Sequence, residues 1–286
     1  MTTPNAHSED ESIVEQSQTP HWRIEDLAFS TIDVAAVRSD ENLFYLATCA
    51  SFVESGSDLY TQNLIAYYGD DPEISDWLTH HWEVEELQHG NALRAYVAHV
   101  WPEFEWQIAY NDFLEEYSRY CKVELLEPSK ALEMVARCVV ETGTATFYQA
   151  LARSSTEPVM RNLATRIAND EVNHYKHFFR YFRRLRQKEG LSRRHIFGAL
   201  SRRTLEMKTE DSACALRHVL KFRDPKHAGD PVRLKEISAM MNTTVRVNLR
   251  ADMTIKMMMR PLDLPPVLQT IVAYPVTQIM NKVFLR

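Results

Sequence analysis

Apolar residues recur at helical spacing along most of this chain. Leu43, Leu46, Ala47, Ala50 and Val53 repeat every three or four positions, and Leu64 and Ile65 extend the pattern. The spacing predicts one long helix from about Asp40 to Tyr68, capped by Gly69. Pro72 suits the first turn of a second helix, which runs to about His99 and stops before Pro102. A shorter helix is predicted from Glu105 to Cys121. Pro128 and Ser129 open another that reaches Ser154, and Ser155-Thr156-Glu157-Pro158 opens one from Glu157 to Lys188, stopped by Gly190. Further helices are predicted at 192–208, 210–222 and 232–257. Four long helices with mostly short joints make the expected fold all-α, built on a four-helix bundle with additional C-terminal helices.

Composition supports that reading. The chain has 286 residues and only 7 glycines, about a third of the usual ~7% share. Folds that depend on many tight turns need more. The first residues are polar and acidic, which predicts a disordered tail over 1–30 and no secretory leader. The bundle is expected over 31–190 and a helical extension packed on it over 191–286. The four cysteines Cys49, Cys121, Cys138 and Cys214 form no CxxC pair, which fits a reducing cytoplasm. The apolar stretch Pro266 to Phe284 is interrupted by Pro275 and carries Gln269, Gln278, Asn281 and Lys282. It is short and polar for a membrane span, so packing on the bundle is expected, with membrane-surface contact or dimerisation as the alternative.

Charge is uneven along the chain. The net charge is −6, yet eleven Lys or Arg and only two acids fall between Lys176 and Lys208. Such a stretch is either a solvated helix face or a docking surface for an acidic partner, whether protein, phosphate or lipid headgroup. Nothing in it points to nucleic acid.

Two Glu-x-x-His units carry the chemistry: Glu86-Leu-Gln-His89 and Glu171-Val-Asn-His174. Three-residue spacing puts each carboxylate and imidazole on one helix face, where both can reach the same metal. A dinuclear site in a helical bundle needs one further Glu from each of two other helices. Glu54, on an apolar helix face, and Glu141, in the nearly uncharged run Ala136-Arg-Cys-Val-Val-Glu-Thr-Gly-Thr-Ala-Thr-Phe147, supply them. A lone carboxylate in such a run is costly to bury, and a metal offsets the cost. Glu86 and Glu171 are the expected bridging ligands and Glu54 and Glu141 the terminal ones. His89 and His174 would each bind one metal. Carboxylates with imidazoles suit iron, with manganese possible in either position. Asp170, beside Glu171, is a candidate to orient a histidine.

These residues resemble a known family. Trp82-Glu83-Val84-Glu85-Glu86-Leu87-Gln88-His89-Gly90 looks like the W-x-x-E-E-x-x-H-G motif of the soluble acyl-acyl-carrier-protein desaturases, within the ferritin-like di-iron superfamily. Asp170 to His174 looks like that family's D-E-x-x-H, and Glu141-Thr-Gly-Thr144 its E-x-x-T. Asp58-Leu-Tyr-Thr-Gln62 after Glu54 is also similar. The resemblance covers roughly 40–185. The chain departs from the family in carrying Gln88 where an Arg often precedes the histidine, in placing Phe147 away from the family's E-x-x-T-F position, and in everything after residue 190.

The resemblance implies a cytoplasmic oxygen-dependent di-iron oxidase of a fatty acyl chain carried by acyl carrier protein, a desaturase foremost. It also implies an external electron donor and a homodimer. It places Thr144 on the oxygen-binding side of the metals, assisting proton delivery, and Asp170 on an electron or hydrogen-bond route to the surface. A di-iron oxygenase of another small molecule and an iron-oxidising ferritin-like protein are the alternatives.

Overall fold

The computed structural model describes residues 21–206 and 211–265, and all regular structure among them is helical. After a short α1 (Val34–Val37), Asp40 starts α2 (Glu41–Ser55) by accepting the Leu43 N–H. The single helix expected over 40–68 is in fact two, because Gly56 separates α2 from α3 (Ser57–Tyr67). The ring of Tyr117 packs on that break, and a Cβ at Gly56 would lie 3.1 Å from it. The second expected helix is α4 (Pro72–Trp77), a π-helical turn (Leu78–Trp82) and α5 (Glu83–Val100). Next come α6 (Trp106–Tyr117), α7 (Lys130–Ser154) and α8 (Pro158–Glu189). Ser129 caps α7 and the Glu157 carboxylate caps α8. Gly190 ends α8 in the left-handed region at φ 65, as its lack of a side chain allows.

Beyond Gly190 lie α9 (Arg193–Glu206), α10 (Asp211–Arg223), α11 (Pro231–Asn248) and α12 (Ala251–Met259). The helix expected over 232–257 breaks where Leu249 turns extended, and Asn248 donates back to the Thr244 carbonyl there. The break lets α12 fold back onto α7. The apolar stretch from Pro266 lies outside the described residues. Among those described, no helix is long and apolar enough to cross a membrane.

Helix α7 packs along α8 and α2 along α5, and α5 meets α8 between the pairs. Helices α9, α11 and α12 lie on α7, and α10 lies on α2 and α6. The buried apolar residues form two clusters. One gathers Phe44, Phe52, Leu93, Val97, Phe113, Leu163 and Val219; the other gathers Trp77, Trp82, Val135, Cys138, Phe178, Tyr181 and Leu200. Helices α7 and α8 run through both, and α5 enters the first cluster from Trp82 of the second, so that Glu141 and the two Glu-x-x-His units lie at the crossing. The ligand candidates thus form a polar layer between two apolar cores.

Part of the stretch predicted as a tail over 1–30 is ordered. Residues 1–20 lie outside the described part, but from Trp22 onward the chain is packed. Trp22 is 4% exposed, and two 3-10 turns follow, Ile24–Asp26 and Phe29–Thr31. Indole burial outweighs the acidic composition that suggested disorder.

Candidate metal centre

The polar layer is built from core positions. On α8 the buried stripe runs Leu163, Ile167, Glu171, His174, Phe178, with ligand candidates where apolar residues would otherwise sit. On α7 the stripe runs Met134, Cys138, Glu141, Ala145, Tyr148. All six predicted ligands are buried, from His89 at 0% to Glu86 at 7% exposure. Their donor atoms converge in two groups: Glu54, Glu86, His89 and Glu171 in one, and Glu86, Glu141, Glu171 and His174 in the other. Glu86 and Glu171 belong to both, as bridging ligands must. Within each group the atoms lie within 4.8 Å of one another. Two donors on one metal at ~2.2 Å are at most about 4.4 Å apart, so little contraction is needed.

Both histidines are held from behind. His89 Nε2 lies 3.0 Å from Asp170 Oδ2, which also accepts the Trp22 indole N–H at 2.7 Å. The Trp22 ring stacks against His89 at an interplanar angle of 7°. His174 Nε2 lies 2.8 Å from Glu85 Oε2. An ionised carboxylate only accepts, so each Nε2 carries a hydrogen and each Nδ1 is the ring nitrogen turned inward, available to a metal that displaces its proton. His89 Nδ1 is 3.2 Å from Glu171 Oε1, and His174 Nδ1 is 3.0 Å from Glu86 Oε1. Thr144 donates to Glu171 Oε2 at 2.7 Å, and Tyr148 donates to Glu54 Oε1 at 2.5 Å.

The fit to a cation rests on atoms left over. His89 Nδ1, His174 Nδ1, Glu141 Oε2 and Glu171 Oε1 are buried without a hydrogen-bond partner, and all four point into the same space. Buried polar atoms are normally satisfied, so four converging orphans mark a ligand position. The electrostatics agree. Burial, then the charges of Glu86 and Glu171, pushes the Glu54 carboxyl well above the usual carboxylate range. Burial likewise raises Glu141 well above it, against the pull of its contact with His174. At both histidines burial works against the charged form, but the surrounding carboxylates outweigh it and raise the pKa well above the usual range. Glu171 is held low despite burial by its contacts with both histidines. Four carboxylates in one buried space demand positive charge, and two divalent cations would neutralise them. Protons compete for the same atoms, so acid should weaken any metal bound here.

A third grouping of metal-type residues provides a contrast. Glu116, Cys214 and His218 lie close together between α6 and α10. There both His218 nitrogens have carboxylate partners, Asp112 and Glu116, which are paired in turn with Lys221 and Arg217. That grouping is a satisfied ion-pair seam.

The six predicted ligands are therefore brought together, with Thr144 and Asp170 in contact with them. Sequence reasoning missed Trp22, Glu85 and Tyr148. Glu85 had a signal in its place beside Glu86. Tyr148, seven residues after Glu141, follows the same helix face. Trp22 lies 148 residues from Asp170 and had none. No protein-family model matches the chain, and no curated protein matches it.

Proposed function

We propose that this chain is a ferritin-like bundle that holds two iron ions and uses them with dioxygen to oxidise a fatty acyl chain, acyl-carrier-protein-linked desaturation being the preferred outcome. The observation that carries the metal part is the pair of four-residue groups sharing Glu86 and Glu171, with both histidine Nδ1 atoms left over inside. Iron is favoured over softer metals because every donor is a carboxylate oxygen or an imidazole nitrogen, and no cysteine belongs to either group. The substrate part rests on the sequence resemblance.

When bound, the iron pair supplies the electrons and the Lewis acidity that dioxygen chemistry on an unactivated C–H bond requires. The chain's own residues set the conditions. Asp170 and Glu85 fix the ring orientation and tautomer of the histidines. Thr144 holds Glu171 Oε2 and is the hydroxyl placed to pass a proton at that oxygen. The two apolar cores exclude bulk water from the polar layer. His89, Asp170 and Trp22 form a hydrogen-bonded line that supports the expected route for electrons from an external donor.

The basic stretch is more selective than its composition suggested. Arg180 and Arg184 pair with Glu73 and Asp71, and Arg202 pairs with Glu127. Arg186 pairs with Asp263 at 3.8 Å, and Arg183, Arg186, Lys256 and Arg260 line a cleft of about 980 Å³ together with Phe179, Phe182, Asp252 and Asp263. Four cations against two carboxylates leave the lining net positive, and its aromatic and aliphatic side chains leave it partly apolar, which suits an anionic group attached to an acyl chain, such as the phosphate arm of an acidic carrier protein.

The test is anaerobic loading with ferrous iron, followed by oxygen with and without acyl-carrier-protein thioesters. Two irons per chain and an unsaturated product dependent on the thioester are expected. Mineral growth beyond two irons, or oxygen consumption indifferent to every acyl thioester, would overturn the reading. Reversing Arg183, Arg186 and Lys256 to Glu should raise KM for the carrier-linked substrate with kcat little changed.

A further inference from the structure

We propose that Tyr148 restricts Glu54 to a single metal-binding oxygen, making the two metal positions unequal and directing outside ligands to the one beside His89. The inference rests on the dimetal reading above. It starts from an asymmetry between two carboxylates with the same expected role. Glu54 and Glu141 are the ligands outside the Glu-x-x-His units, one for each position. The Tyr148 hydroxyl, on a side chain 1% exposed, donates to Glu54 Oε1 at 2.5 Å. An O–H bond to a buried carboxylate is short and strong, and on a carboxylate with a metal position on one side only it favours the other oxygen as the ligand; Glu171, with a position on each side, keeps both oxygens in use although Thr144 donates to one. Glu54 Oε2 remains, 3.9 Å from His89 Nδ1.

Glu141 is treated differently. Its Oε2 has no hydrogen-bond partner and lies 3.5 Å from His174 Nδ1. Thr144, three residues along α7, donates to Glu171 Oε2 rather than to Glu141. Glu171 divides its oxygens between the two sides, with Oε1 3.2 Å from His89 Nδ1 and Oε2 3.8 Å from His174 Nδ1. The side of His89 therefore offers one oxygen from each of Glu54, Glu86 and Glu171 and one nitrogen. The side of His174 offers an oxygen from each of Glu86 and Glu171, a nitrogen, and Glu141, whose second oxygen takes no side-chain hydrogen bond like the one Tyr148 makes to Glu54 and is left available as a further donor. A metal with fewer protein donors is the one that keeps a place for an exchangeable ligand. Tyr148 is thus a positioning residue, acting on the metal through Glu54. It also reaches the site from α7, the helix that carries Glu141, so one helix sets the coordination of both positions.

The experiment uses the full chain loaded with cobalt(II) without oxygen and titrated with azide, following the visible cobalt spectrum. Wild type should take up two cobalt ions and bind one azide per pair. Tyr148→Phe keeps the ring and frees Glu54 Oε1. It should still hold two cobalt ions, show the weaker absorption of higher coordination, and bind azide about tenfold less tightly or worse. Unchanged azide affinity and spectrum in Tyr148→Phe would overturn the inference and leave the dimetal reading standing. Failure of wild type to bind two cobalt ions would overturn both. If the variant did not fold, the wild-type stoichiometry would still decide, since two azides per pair, or none, contradicts an unequal centre.

Discussion

Gly90 follows His89 directly, and its replacement by Ala joins packing to metal binding. Helices α2 and α5 approach closely at this point. A Cβ on Gly90 would lie 2.6 Å from Ser55 Oγ, 2.7 Å from Ser55 N and 2.9 Å from Ser55 Cα. The hydroxyl can rotate away, but the backbone atoms cannot. Ordinary contact begins near 3.4 Å, so the helices must part locally by about 0.7 Å. Glu54 precedes Ser55 as His89 precedes Gly90, so their separation grows with the helices. Glu54 Oε2 and His89 Nδ1 are now 3.9 Å apart. Adding that displacement carries them past the limit of about 4.4 Å for two donors on one metal. Gly90→Ala should therefore weaken the metal beside His89, whose ligands must now close a wider gap against the wedged helices, more than the one beside His174, which draws nothing from α2. Overpacking should also cost about 1–3 kcal/mol of stability. Equilibrium dialysis with metal analysis reads the first effect and urea unfolding of the metal-free protein the second. Two metals per chain at wild-type affinity in a stable Gly90→Ala protein would refute the reasoning.

Other outcomes follow from the same geometry. Asp170→Asn can no longer accept the His89 and Trp22 hydrogens together as an anion, so metal affinity beside His89 should fall about 10–100-fold, measured by competition with a chelating dye; Glu85→Gln should do the same beside His174. His177 stacks on Trp77 at 4.8 Å, and burial first, then Arg180 and His174, pushes its pKa from 6.5 down to about 4. The unfolded chain binds this proton at higher pH than the folded one. The resulting stability is therefore full above pH 6.5 and is lost as pH falls toward 4, by about 3 kcal/mol. His177→Phe should lose less stability than wild type across that window in parallel urea titrations, and identical pH profiles would count against the assignment. Loading metal should raise the melting temperature and a chelator should reverse it, because the carboxylate layer is assembled only in the folded chain; a melting temperature indifferent to metal would contradict the site.

Much of this was legible in the sequence for physical reasons. Helical periodicity is local, so α7 and α8 were placed almost to their ends, and Ser129, Glu157 and Gly190 act as the expected caps. Three-residue spacing is local too, and it alone puts Glu86 with His89 and Glu171 with His174 on single helix faces. Glu54 and Glu141 stood out because a carboxylate inside an apolar run needs a reason to be there.

What the tertiary structure decided was whatever depends on neighbours from elsewhere in the chain. The breaks at Gly56 and Leu249 reflect the packing of Tyr117 and the return of α12 to α7, and no local pattern encodes either. Trp22 belongs to the centre rather than to a tail because its indole finds Asp170 across 148 residues. The basic composition of 176–208 is met by acids from elsewhere in the chain, Glu73 and Asp71 opposite Arg180 and Arg184 and Glu127 opposite Arg202. The contact of Tyr148 on α7 with Glu54 on α2, on which the proposed inequality of the two positions rests, likewise joins two distant helices. The sequence by itself named the six ligand candidates, since residue type and spacing are properties of single helices. Their arrangement, their partners and their asymmetry are properties of helix packing, and only the folded chain contains them.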